Sequence, residues 1–73
     1  MKTNIERPFD LLNSFKGKKI LIKLKDKEYS GKLIAFDLNI NLVIESCFDI
    51  KDNKKIGISF IRGDSIILIS EGE

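Results

Sequence analysis

The chain has 73 residues, with 13 Lys+Arg against 11 Asp+Glu, one cysteine and no histidine. That length holds one small domain, which buries only about 60% of the surface its unfolded chain exposes, so self-association is the expected supplement to a thin core. A lone cysteine excludes an internal disulfide, the missing histidine removes the usual zinc sites and cysteine–histidine catalysis, and a net charge of +2 neither demands nor forbids a nucleic-acid partner.

Residues 1–6 are polar and read as a flexible N-terminus. The stretch R-P-F-D-L-L-N-S-F-K-G from Arg7 to Gly17 reads as a short helix. Pro8 suits a first helical turn, where its missing N–H costs nothing, and Asp10 suits the positive end of the helix dipole. Leu11, Leu12 and Phe15 share one face, expected to pack on a sheet, and Lys16-Gly17 makes a stop.

From Lys19 the period falls to two. In K-I-L-I-K-L-K, Ile20, Ile22 and Leu24 share one face, while Lys19, Leu21, Lys23 and Lys25 share the other, the mark of a half-buried strand. Residues 26–28 form a turn. A second strand, Y-S-G-K-L-I-A-F-D, carries Gly31 in its interior, which points to a strongly curved sheet. After D-L-N-I-N comes a third strand, N-L-V-I-E-S-C-F, in which Cys47 reads as a small buried hydrophobe. Asp52-Asn53 fits a tight turn, and I-G-I-S-F-I forms a fourth strand around Gly57. R-G-D then reverses the chain into S-I-I-L-I-S, a fifth strand whose continuous apolar run from Ile66 to Ile69 suggests cover on both faces.

A helix followed by five antiparallel strands curls into a small open barrel. Strands four and five carry the fewest charges and no proline, so their edges are unprotected and edge-to-edge pairing of copies into a closed ring is expected. No segment reaches the roughly 20 apolar residues of a membrane span, and the N-terminus lacks a signal-peptide pattern, so a cytoplasmic protein without membrane contact is the expectation.

Two polar loops carry the functional information. Asp37, Asn39 and Asn41 match the first half of a calcium loop, but the required glycine is Leu42 and the bidentate glutamate position is Phe48, so no metal is expected. Each loop also has a plain structural account, since Asp, Asn and Gly are common turn formers. Lys23, Lys25, Lys27 and Lys32 read as solvated surface lysines. No nucleophile–base pair is present, so no enzyme and no cofactor are expected.

Together the loops carry a resemblance. The stretch from Lys19 to Glu45, with Gly31 and F-D-L-N-I-N-L-V, and the stretch G57-I-S-F-I-R-G-D-S-I-I-L-I69 resemble the two motifs of the Sm and Sm-like (Lsm) family, the archaeal group most closely. The segment R7-P-F-D-L-L-N13 resembles its N-terminal helix. The resemblance implies a mainly β, SH3-like Sm fold over residues 7–70, with 71–73 as a C-terminal tail. It implies a homo-oligomeric ring, usually heptameric, closed by strand four of one subunit on strand five of the next. It further implies binding of uridine-rich single-stranded RNA at the inner rim, in RNA processing or as an RNA chaperone.

Carried over by position, Asn41 matches the uracil reader and Arg62 the arginine that stacks on the base. Gly63 would let the backbone approach the base and present a main-chain amide. Asp37 and Asp64 match acidic positions that organise the loops and Arg62. Asn39 stands where the family often has histidine or an aromatic residue, and its small amide predicts weaker or less uridine-selective binding. The alternative is a ring scaffold for protein assembly with weakened RNA binding.

Overall fold

A computed structural model describes residues 8–72 of the chain. The expected flexible segment 1–6, and Arg7, lie outside the described residues. Helix α1 spans Pro8–Phe15, and the strands are β1 (Lys19–Leu24), β2 (Glu28–Phe36), β3 (Leu42–Asp49), β4 (Lys54–Ile61) and β5 (Ile66–Glu71). A single 3-10 turn, Gly63–Ser65, joins the last two strands. The strand β5 runs on to Glu71, paired with Ile20, and the Gly72 N–H donates to the Lys19 carbonyl at 2.8 Å, so the sheet extends past Ser70.

All neighbouring strands are antiparallel, in the order β4-β3-β2-β1-β5, which leaves β4 and β5 as the two edges. Alternation along β1 buries Ile20 and Ile22 and leaves Lys19, Leu21 and Lys23 outside. With Leu33, Leu42, Ile44, Cys47 and Ile61 they form the core, and Leu12 of α1 caps it. The helix is fixed at its exit by the Gly17 N–H, which donates to the Leu33 carbonyl at 2.7 Å. One edge-to-face aromatic pair, Phe9 with Phe36, adds a contact between helix and sheet with ring centroids 5.1 Å apart.

The sheet bends where its ladders slip. Register shifts fall between Ser30 and Lys32, between Leu33 and Ala35 and between Ile44 and Cys47. At the first of these β3 comes so close that a Cβ on Gly31 would strike Ile44 Cγ2 and lie 3.0 Å from the Glu45 carbonyl oxygen. Glycine is required there by close approach of two strands, which is the physical content of the curvature read from the sequence. Ser46, at φ 55, completes the bulge.

Within one chain the edges are bare. Ile58, Phe60, Ile67 and Leu68 are 73%, 65%, 64% and 54% exposed. The expectation that β5 is covered on both faces therefore fails for the isolated subunit: Ile67 and Leu68 stay exposed, and no described residue covers them. At the far end of the hairpins, Lys27 bridges Asp52 at 2.7 Å and the buried Asp49 at 3.4 Å. The Asp52 N–H, helped by the Lys27 charge, holds the Asp49 carboxyl below the usual carboxylate range.

Candidate nucleic-acid interface

The β2–β3 loop, 37–41, is closed by its own aspartate. Asp37 Oδ1 accepts the N–H groups of Asn39 (2.9 Å) and Asn41 (3.1 Å), and Oδ2 accepts the Asn41 side-chain amide at 3.0 Å. These bonds favour the charged carboxylate, the Asn41 side chain most strongly, and hold the Asp37 pKa below its ordinary value. Two main-chain bonds, Ile40 N–H to Asp37 O at 3.0 Å and Asp37 N–H to Asn41 O at 3.2 Å, tighten the same turn. This is chemistry for a backbone-filled turn and leaves no cluster for a cation; among the described residues no group of acidic or thiol side chains is arranged to hold a metal.

Ile40 adopts φ 62, a left-handed conformation that costs a β-branched residue on the order of 1–2 kcal/mol. Its half-buried side chain packs against the core and holds the loop in place against that cost.

The β4–β5 turn is clamped onto this loop. Asn41 Oδ1 accepts the Gly63 N–H at 2.8 Å. A Cβ at Gly63 would strike the Asn39 carbonyl oxygen and stand 2.9 Å from the carbonyl carbon and oxygen of Ile40. The glycine is thus needed for loop-to-loop packing. Within the chain the Gly63 N–H is engaged by Asn41. Arg62 Nη2 bridges Asp64 Oδ2 at 2.9 Å, with both side chains mostly exposed. Asp37 and Asp64 sit as the sequence placed them, one beside Asn41 and one beside Arg62.

Asn39, Ile40, Asn41, Arg62, Gly63, Asp64 and Ile66 line one open recess of about 660 Å³. All four residues assigned to RNA binding, Asn39, Asn41, Arg62 and Gly63, therefore converge, although 21 positions of sequence separate Asn41 from Arg62. Ile40 and Ile66 were missed by sequence reasoning. Their apolar side chains resembled core residues, and nothing local marks them as pocket walls. An amide has two N–H groups and an oxygen with two lone pairs. After its bonds to Asp37 and Gly63, Asn41 retains one N–H and one lone pair in a fixed orientation.

A helix-capped, strongly bent five-stranded sheet with two bare edges and a loop recess near one of them defines the Sm-fold class of small open barrels. The LSM domain family matches residues 10–71, and this chain belongs to that family. It is similar to a Pyrococcus abyssii Sm protein solved in complex with a uridine heptamer, with 35% identity, coverage of 92% of this chain and 100% of that one, and a TM-score of 0.84. It is similar to the SmAP1 heptamer of P. aerophilum at 32% identity, covering 94% and 97% of the two chains with a TM-score of 0.85. An SmAP (LSm) protein from Methanococcus vannielii matches at 30% identity over 93% and 99%, with a TM-score of 0.83.

Proposed function

We propose that this chain forms a homo-oligomeric ring, heptameric by its likeness to heptameric relatives, and binds uridine-rich single-stranded RNA at the inner rim. Ring closure pairs β4 of one subunit with β5 of the next and covers the exposed Ile58, Phe60, Ile67 and Leu68. The observation that carries the RNA reading is the locked Asn41 amide. Its remaining N–H and lone pair are an adjacent donor and acceptor, which complement a uracil carbonyl and the neighbouring ring N–H. Arg62, oriented by Asp64, supplies a guanidinium plane for the face of the base and positive charge for the strand. The role is non-catalytic, in cytoplasmic RNA processing or as an RNA chaperone.

A scaffold reading rests on the absence of an aromatic side chain from the recess, since a stacking ring contributes about 1–3 kcal/mol per base. Titration of oligouridine and oligoadenylate at moderate salt against wild type, Asn41→Ala and Arg62→Ala separates the two. RNA binding that falls sharply in both variants supports the RNA reading. Equally negligible binding of both oligomers by the wild-type ring refutes it in favour of the scaffold.

A further inference from the structure

We propose that the outer face of β1–β3 carries a second nucleotide site, which holds a phosphate between Lys19 and Lys32 and the attached base against Phe48. Lys19 and Lys32 stand directly opposite each other across β1 and β2. Opposed like charges repel and destabilise a sheet unless something lies between them. Among the described residues the ion pairs fall on Lys27 and Arg62, and neither Lys19 nor Lys32 has a carboxylate partner. Glu45 lies opposite Lys32 on β3 and forms no ion pair with it.

The two lysines border a recess of about 410 Å³ completed by Ser30, Gly31, Ser46 and Phe48. The recess lies where the β2–β3 ladder slips: β3 closes in on the bare Gly31 backbone, and Ser46 bulges at φ 55. Neither serine hydroxyl makes a hydrogen bond within the described chain. Two ammonium groups and two hydroxyls are donors suited to phosphate oxygens, and the half-buried Phe48 ring offers an apolar face to a base. This combination of charge and aromatic plane selects a nucleotide over either half alone. Its residues lie on β1, β2 and β3, and neither edge strand, β4 or β5, contributes to it. It shares no residue with the loop recess and does not depend on the function proposed for that recess.

The test uses the full chain carrying Asn41→Ala and Arg62→Ala, which silences the rim, and titrates adenosine 5′-monophosphate, adenosine and inorganic phosphate. Amide shifts of Gly31 and Ser46 report occupancy, and calorimetry reports affinity. The monophosphate is expected to bind more tightly than adenosine or phosphate and to shift both amides. Adding Lys19→Ala with Lys32→Ala is expected to weaken it by at least about tenfold, because the phosphate contacts are lost. Phe48→Leu keeps the apolar bulk and is expected to weaken it about fivefold or more through lost stacking. Lys23→Ala with Lys25→Ala removes the same charge nearby and is expected to leave affinity within about twofold.

The proposal is overturned if the monophosphate shifts neither amide, if the two lysine pairs reduce affinity equally, or if inorganic phosphate binds as well as the nucleotide. A 5′-phosphorylated oligoadenylate that binds more tightly through the same lysines assigns the site to an RNA strand. Equal affinity of the two assigns it to the free nucleotide.

Discussion

Replacing Gly63 with alanine tests whether the two loops form one unit. Gly63 is not in the left-handed region, so alanine is conformationally allowed and the effect is steric alone. The added methyl would strike the Asn39 carbonyl oxygen and press on the Ile40 carbonyl group. All of these are backbone atoms, so no side-chain rotation relieves the clash and the loops must separate. Overpacking of this kind costs roughly 1–3 kcal/mol. Separation also breaks the 2.8 Å bond from Gly63 N–H to Asn41 Oδ1, a further loss of about 0.5–1.5 kcal/mol. At about 4–8 °C per kcal/mol for a domain of this size, the midpoint should fall by roughly 6 °C or more. The assay is thermal unfolding at one fixed protomer concentration, since ring assembly makes the midpoint concentration-dependent. Oligouridine affinity measured in parallel should fall as well, because Asn41 loses one of its two anchors. A variant with wild-type midpoint and wild-type affinity refutes the clamp.

Asn39→His places a ring at the recess and should raise oligouridine affinity by about 1 kcal/mol or more per occupied pocket, measured by titration against oligoadenylate. The Asp37 carboxyl should titrate below its ordinary value of 3.8 in a carbon-detected NMR experiment. Because its folded pKa is depressed, its contribution to loop stability is complete above that ordinary value and is lost as pH falls through the depressed one. Loop signals should therefore stay constant from pH 7 to pH 5 and change only in strong acid. Ile58→Lys on β4 puts a charge on the edge that ring closure covers, and native mass measurement should show species smaller than the wild-type ring.

Much of this protein is legible in its sequence. Alternation of Ile20 and Ile22 with lysines, the glycines at 31 and 57, and the turn residues at 37–41 and 62–64 are local signals, and they specify the strands, the loops and the low-charge edges. The identities of Asn41 and Arg62 could be set side by side only through a family resemblance, because nothing local brings residues 21 positions apart together. The antiparallel return of β3 through β4 does that, and it also decides which atoms stay free. It gives the Gly63 N–H to Asn41, leaves Asn41 a single donor and acceptor, and makes walls of Ile40 and Ile66. Likewise, Lys19 reads as an outer-face strand residue and Lys32 as a surface lysine, and only the pairing register of β1 with β2 sets them face to face. Composition and periodicity act over a few residues, whereas register, bulges and the partner of each polar atom depend on long-range pairing. That is why the sequence by itself determined the elements and the candidate residues, while the tertiary structure decided their contacts.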